Sequence, residues 1–476
     1  MTASTPKKRV VIIGGGLAGL SAADAITTAA PDRFDITVIE SKRTTGGRAG
    51  SFTDDVTGET VDYCQHVAMG CCTNLLLLMH RHGLAGHWQR YDRLRFLHPK
   101  YLPSPFKPSR WLPPPFHLMP AFNSLRYLSS AQKRQIAGGL WRLMRTIEAT
   151  LVDQKASTWL RKNKQDDQTI TRFWDVVLVS ALGETTDRVS MAAARKVLFD
   201  GFVAARGASD IWIPKLPLSD LIGNKLVNSI ARHGASVIQQ CAISQVDAGE
   251  DHQAIVLATD GRRFAATHVI SAVPWFRIES LFAGSSVIRS LPSIGQWTQF
   301  PTSPITGIHL WFDRPIMDVP HAVMVGTTAQ WIFREPHAAN HPSPSGRHYY
   351  QVVVSASHQT RQLPQSELIR TVQSELAHQF PAAREAKLLA NRVVTDPRSV
   401  FSVTPDVERR RPLARTALPW LHLAGDWIQT GWPATMEGAV ISGRMAAASV
   451  LDRCGITECP IDPGIDRGWL TRRLIR

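Results

Sequence analysis

Residues 7–40 set the tightest constraint on how this chain folds. Lys7-Lys8-Arg9 leads into the apolar run Val10-Val11-Ile12-Ile13, then Gly14-Gly15-Gly16-Leu17-Ala18-Gly19, then the alanine-rich stretch Leu20 to Ala25. That order reads as a strand, a glycine turn and a helix. Gly14 permits the tight exit from the strand, Gly16 lets a pyrophosphate approach the backbone, and Gly19 lets helix and strand pack closely. The amides of the helix N-terminus then face the phosphates. Glycines in this spacing also punctuate ordinary turns, so the motif alone is weak. Here a second strand, Asp35-Ile36-Thr37-Val38-Ile39, ends in Glu40, about 20 residues beyond the last glycine, where a ribose-binding carboxylate belongs. Gly46-Gly47-Arg48 follows.

A chain of 476 residues exceeds one simple core, so two or three interleaved domains are expected. The first strand begins close to Met1, so no signal peptide is expected. The stretch from Cys64 to His80 is free of Asp, Glu, Lys and Arg but contains Gln65, His66, Thr73 and Asn74, which suits a strand and helix better than a membrane span. Cys64, Cys71, Cys72, Cys241, Cys454 and Cys459 show no paired metal-ligand spacing. Free thiols in a reducing cytoplasm are the simplest expectation.

The net charge of +15 is concentrated. Between Arg81 and Lys164 there are sixteen Lys and Arg against Asp92, Glu148 and Asp153, with eleven aromatics and eight prolines interleaved. Trp88, Tyr101, Trp111, Phe116 and Trp141 are among the aromatics. This composition suits nucleic acid or an anionic membrane surface. Nothing in it resembles a nucleic-acid module, so the expected partner is a membrane, with a solvated basic face as the bland alternative. The tail Arg467 to Arg476 has the same character.

Between these landmarks the pattern predicts a hairpin over Ser51–Val61 and a helix starting at Leu75. An extended, proline-interrupted segment follows from Pro99 to Pro120, then a helix through Ile136, Leu140, Leu143 and Ile147. Further on it predicts a helix over Leu221–His233 and single strands over Ala235–Val246 and Phe264–Val273. Ile305–Phe312 and His348–Ser355 read as an antiparallel sheet. The apolar strand Leu421-His422-Leu423 ends in Ala424-Gly425-Asp426-Trp427. After it come Thr430-Gly431-Trp432-Pro433-Ala434-Thr435-Met436-Glu437-Gly438-Ala439 and Ser442-Gly443-Arg444. Such a strand delivers Asp426 to a helix N-terminus beside the pyrophosphate, and the helix dipole favours negative charge at its start. An N-cap role is the plainer reading of Asp426.

Gly14 to Gly19, Glu40, Gly46-Gly47-Arg48 and the Gly425-Asp426 block together resemble the FAD-dependent amine oxidase and carotenoid desaturase superfamily. The resemblance implies an α/β chain with a discontinuous Rossmann-like FAD-binding domain over 1–80, 215–275 and 415–455. A mixed α+β substrate domain is expected over 276–414. A helical, basic, membrane-facing region would occupy 81–214, with a basic tail over 456–476. Carried over, Glu40 would bind the adenosine ribose, and Gly47 and Arg48 would sit by the pyrophosphate. Ile243 would place its backbone against adenine, and the Thr435 and Met436 amides would face the isoalloxazine.

Val61-Asp62-Tyr63-Cys64-Gln65-His66 and Trp311-Phe312-Asp313-Arg314-Pro315, with the Trp432 to Ala439 block, resemble a narrower branch. That branch is the bacterial hydroxysqualene dehydroxylases of squalene and hopanoid synthesis. Cys64 stands where the branch usually has glycine. The branch implies that reduced FAD delivers hydride to an allylic carbon while hydroxide leaves, which requires a proton donor. His66 is the expected donor with Asp62 as its orienter; a structural histidine bonded to backbone is the alternative. Trp311 and Trp432 would offer aromatic faces to a hydrophobic isoprenoid. No lysine is assignable beside the flavin. An oxidative polyene desaturase and a non-catalytic lipid escort of the same fold are the competing functions. The expected location is the cytoplasmic face of the membrane, with no nucleic acid bound; no pattern identifies an electron donor.

Overall fold

The computed structural model describes residues 7–250, 253–334, 346–457 and 461–475; Cys459 and Arg476 lie outside the described residues. A five-stranded parallel sheet runs in the order Ala235–Ile238, Phe34–Ile39, Lys8–Ile13, His268–Ser271, Leu421–Leu423. Its central strand is buried from Val10 to Ile13, as expected where both faces are covered, and this is why it reads as unbroken apolar sequence rather than alternating. The helix Leu17–Ala29 covers one face and packs along the eighteen-residue helix Met436–Arg453. Gly443 makes that contact close: a Cβ there would meet the Ala18 carbonyl oxygen at 2.1 Å. Ser21 Oγ donates to the Val440 carbonyl across the same seam (2.9 Å).

The sheet draws on three distant parts of the chain, and the intervening residues build the rest. A seven-stranded sheet runs in the order Leu388–Phe401, Thr302–Phe312, His348–Ser355, Trp331–Arg334, His321–Met324, Leu94–His98, Tyr101–Phe106. Thr302–Phe312 and His348–Ser355 pair antiparallel as their alternation predicts, with Ile305 opposite Ser355. One face buries Ile308, Leu310, Tyr350 and Val352 against Leu368, Val372 and Leu376 of the helix Gln365–Gln379. The other carries Gly307, His309, Trp311 and Gln351.

Several expectations need correction. The strand predicted over Ala235–Val246 is two strands in different sheets. The chain breaks after Ile238, passes through a left-handed Gln240 (φ 54°), and resumes at Ile243–Ala248 in a small antiparallel sheet. Phe264–Val273 likewise divides at Thr267 into Arg263–Ala266 and His268–Ser271. The segment assigned to a separate basic region is not separate, since Leu94–Phe106 forms the edge of the seven-stranded sheet. Pro103 and Pro105 lie on the outermost strand, where a missing N–H is tolerated.

The remaining basic segment is largely helical, with Ser130–Arg145 opened by a Ser129/Gln132 capping box. Wide π-type turns occur at Ile170–Trp174, Phe199–Val203 and Ser219–Leu226. The last of these continues as Val227–Arg232, over the span predicted to be helical. The tail is docked rather than loose. Asn74 exchanges hydrogen bonds with the Asp462 backbone, Arg467 pairs with Asp200 (2.6 Å), and Thr471 and Ile475 are buried. Among the described residues no helix is long and apolar enough to cross a membrane.

Candidate active site

The two glycine-rich loops at the end of the first two strands fold against each other. Gly14 leaves the strand at φ +113°, its N–H donating to the Ile39 carbonyl (2.8 Å). Gly46 N–H donates to the Gly15 carbonyl (2.8 Å), and Gly16 and Gly46 pair as an isolated bridge. A Cβ at Gly19 would lie 2.0 Å from the Gly14 carbonyl oxygen, so the helix can start this close to the strand only without one. The surface formed by Gly14, Gly15, Gly16 and Gly47 is therefore backbone alone, which is what an approaching pyrophosphate needs.

Glu40 lies buried at the end of the second strand. Its carboxylate accepts from Gly15 N–H (2.8 Å) and Lys42 N–H (2.9 Å). Its main chain is bonded to Ile238 and Cys241, two residues short of Ile243. Glu40, Ile243 and the glycine loop thus form one continuous edge, of the kind that holds a ribose and adenine.

The C-terminal block closes the other side. Arg48 forms an ion pair with the buried Asp426 and donates to the Ser399 carbonyl (2.7 Å). Its guanidinium lies 5.4 Å from the centre of the Trp275 ring. Gly425 N–H donates to Ser442 Oγ (2.8 Å). Thr435 caps the helix Met436–Arg453, its Oγ1 accepting from Gly438 N–H (3.0 Å). The start of that helix, with the Thr435 and Met436 amides, is on the same side as Asp426. These donors and the bare glycine surface fit a flavin dinucleotide, with Glu40 at one end and Thr435 and Met436 at the other.

Asp62 and His66 do not work together. Asp62 Oδ1 accepts from Ser51 Oγ (2.6 Å) and Leu218 N–H (2.8 Å), tying the hairpin Ser51–Asp62 to the start of the helix at Ser219. Burial pushes its carboxyl up to about 6, and the Asp220 charge adds to this. His66 Nδ1 lies 2.8 Å from the Cys64 carbonyl. A carbonyl only accepts, so Nδ1 carries the proton and Nε2 presents a lone pair. Burial, with the nearby Arg48 charge, lowers the imidazole's affinity for a second proton. The expected orienter is therefore a structural tie, and the expected donor is a neutral acceptor. Cys64 takes the glycine position without a left-handed backbone. Burial, and then the Asp62 charge, push its thiol up to about 12, which leaves it inert.

Trp311 also departs from expectation. It is fully buried, donates to Glu59 (2.7 Å) and packs with Val61 and Tyr349, pinning the hairpin to the seven-stranded sheet. A strand's alternation does not say what its faces meet. Trp432 is partly exposed, and the Lys196 ammonium lies 5.1 Å from its ring centre. Three contributors escaped the sequence. Buried Arg411 donates to the carbonyls of Asp426 (3.1 Å), Ile428 and Trp432 (2.7 Å), fixing the loop before the helix. Glu437 accepts from the Asn74 and Leu75 amides (3.0 and 2.8 Å). Lys196 is the third. None carries a local signal, because each partner is far away in sequence.

This fold and site define a flavin-binding oxidoreductase. Residues 17–451 match the family described as flavin containing amine oxidoreductase, and the chain belongs to it. It binds FAD. The chain is 26% identical over 453 residues to the hydroxysqualene dehydroxylase of Zymomonas mobilis subsp. mobilis, covering 92% of this chain and 97% of that one. It is 23% identical over 474 residues to the chloroplastic/chromoplastic 15-cis-phytoene desaturase of Solanum lycopersicum, covering 94% and 78%. Among solved structures, an oxidoreductase from Methanosarcina mazei superposes with a TM-score of 0.69 at 18% identity, covering 93% of this chain and all of that one. A putrescine oxidase bound to putrescine gives 0.68 at 16%, covering 94% and 99%. The chain is thus an FAD-dependent oxidoreductase of the carotenoid and isoprenoid desaturase type.

The Asp62 environment has a pH signature. Its folded-state pKa lies above the ordinary value of 3.8, so the folded chain holds the extra proton between the two. Its contribution to stability is then lost as pH rises from about 4 to 6. Asn at this position keeps an oxygen for Ser51 and Leu218 and removes the ionisation. Asp62→Asn is expected to match wild type near pH 4 and to be more stable by about 2 kcal/mol at pH 7.5, after discounting for partial exposure. Urea unfolding at both pH values checks this; equal or lower stability at pH 7.5 contradicts it.

Proposed function

We propose that the protein is a hydroxysqualene dehydroxylase-type enzyme that reductively removes an allylic hydroxyl from a long isoprenoid in squalene and hopanoid synthesis. Bound FAD supplies the hydride. Glu40 holds the adenosine ribose, with Ile243 against the adenine. Gly14, Gly16, Gly19, Gly47 and Arg48 surround the pyrophosphate, and Asp426, Thr435 and Met436 face the flavin end. The observation that carries the reading is the apolar character of the wall beyond that end. Phe173, Val177, Phe202, Val203, Trp331, Trp432 and Met436 are partly exposed yet packed against the main core, as suits a hydrocarbon chain rather than a charged amine. A thirty-carbon isoprenoid burying a few hundred square ångströms contributes roughly 10 kcal/mol at about 25 cal/mol per Å².

One observation favours a second reading. His66 Nε2, a bare acceptor in a buried neutral ring, suits a base that removes a proton while hydride leaves to oxidised FAD, the requirement of a polyene desaturase. Product analysis separates the two. Anaerobic, chemically reduced enzyme given hydroxysqualene is expected to yield squalene, while oxidised enzyme leaves squalene and phytoene unchanged. Desaturated product from the oxidised enzyme alone would reverse the choice.

The same reading includes docking on an anionic membrane at the cytoplasmic face, where such a substrate is dissolved. Trp111 is 92% exposed and Trp469 67%, with Leu102, Met119, Trp141 and Ile147 also exposed. Lys100, Arg110, Arg134 and Arg142 are exposed among them. Arg206 donates to the Arg110 and Leu112 carbonyls on either side of Trp111, and Arg145 reaches the Arg473 carbonyl (3.4 Å), which brings the tail beside the helix Ser130–Arg145. Each engaged basic residue contributes about 1 kcal/mol near such a leaflet. Anionic liposomes are expected to sediment the protein at low salt and release it at high salt, with Trp111→Ser weakening the association. No sedimentation at any ionic strength would return this surface to solvent.

A further inference from the structure

The reductive reading leaves a gap in the chemistry. A hydroxyl leaves a carbon only when its oxygen receives a proton or a strong hydrogen bond, and His66, with Nδ1–H given to the Cys64 carbonyl, has no proton at Nε2 to offer. Resting on that reading, we propose that Lys196 is the catalytic residue that binds the substrate hydroxyl and protonates it as it leaves.

Lys196 is on the helix Met191–Leu198, whose Met191, Ala194, Val197 and Leu198 are buried. Its ammonium sits over the Trp432 ring at 5.1 Å and 2.7 Å from Asp200 Oδ2. Trp432 is held by its main chain, its N–H donating to Thr430 Oγ1 (3.1 Å) and its carbonyl accepting from Arg411 (2.7 Å). It stands three residues before the Thr435 cap, so the cation is set against the aromatic nearest the flavin end.

Three features make this ammonium a donor rather than a satisfied ion pair. An ammonium has three N–H groups; Asp200 takes one and the indole face attracts another, which leaves one for an oxygen. Asp200 also accepts from Arg467 at 2.6 Å, so two cations share one carboxylate and a net positive charge remains. Beyond Lys196 the chain enters the π-type turn Phe199–Val203, where Phe202 and Val203 are partly exposed and apolar. A neutral hydroxyl is the polar group that a lone cation on such a wall can still engage. In the step, the carbon–oxygen bond breaks, the oxygen leaves as water with the Lys196 proton, and the carbon takes the hydride that reduced FAD supplies. The neutral amine regains its proton from solvent. The placement also limits Trp432: with one face against an ammonium, that face does not stabilise an allylic cation.

The test uses the FAD-loaded enzyme, with hydroxysqualene and squalene as probes. Binding is measured on the oxidised form and single-turnover product formation on the reduced form. Lys196→Met is expected to weaken hydroxysqualene binding about 10- to 100-fold, leave squalene binding unchanged, and slow dehydroxylation at least 100-fold. Lys196→Arg should retain alcohol binding, since it keeps a charged donor. A purely structural lysine would move both affinities together, and equal loss for the two probes, or no loss, overturns the proposal. If Lys196→Met does not fold, Lys196→Gln carries the same comparison. Wild-type enzyme that desaturates squalene and never dehydroxylates the alcohol removes both the reading and this residue's role. Wild-type dehydroxylation with an indifferent Lys196 removes only the role.

Discussion

The ion pair between Arg48 and Asp426 joins two glycine-rich blocks that are 378 residues apart in the chain, and the site exists only where they meet. Each partner is fixed independently. Arg48 follows the Gly46-Gly47 turn, which is bonded to the first glycine loop, and also reaches Ser399 and Trp275. Asp426 is delivered by the last strand of the parallel sheet, with Arg411 holding its carbonyl. A charge-assisted contact that is buried on the Asp426 side needs such bracing, because desolvation offsets much of its Coulomb energy. Its contribution is therefore placement more than stability. It sets the spacing between the edge carrying Glu40 and the helix start carrying Thr435.

Around that spacing the ionisable groups are quiet. Asp62 is pushed toward its neutral form, His66 is held neutral, and the Cys64 thiol is kept protonated. Burial is the largest cause in each case. Such surroundings suit a hydrocarbon and hydride chemistry better than acid–base chemistry on a charged substrate. They also make the one ammonium against Trp432 conspicuous, because a charge at an apolar wall acts with less screening than the same charge at the surface.

Much of the nucleotide half was legible because its signals are local. The strand, glycine turn and Glu40 lie within 40 residues, and each has a steric or electrostatic reason visible in the residue itself. The Ser51–Asp62 hairpin and the pairing of Thr302–Phe312 with His348–Ser355 were legible from turn chemistry and alternation. The misreadings share a cause: tertiary partners that leave no trace in spacing. Ala235–Val246 keeps a strand-like pattern while its chain changes sheets at Gln240. Leu94–Phe106 is dense in proline yet serves as a sheet edge, where proline is harmless. Trp311 alternates correctly, but its ring meets Glu59 and Tyr349 rather than a ligand. Arg411, Glu437 and Lys196 look like ordinary charged helix or loop residues, and only the folded chain shows what each one touches.

The most direct test of the central claim is FAD retention across a double-variant cycle of Arg48→Met and Asp426→Asn. FAD released on denaturation is counted per chain, and its dissociation rate is measured for all four proteins. Wild type is expected to carry about one FAD per chain. Each single change should speed FAD loss, and the double variant should lose it much more slowly than the two effects multiplied would give, because both remove one contact. Independent, multiplicative effects, or retention unchanged in both single variants, would contradict the view that these two blocks close around one flavin.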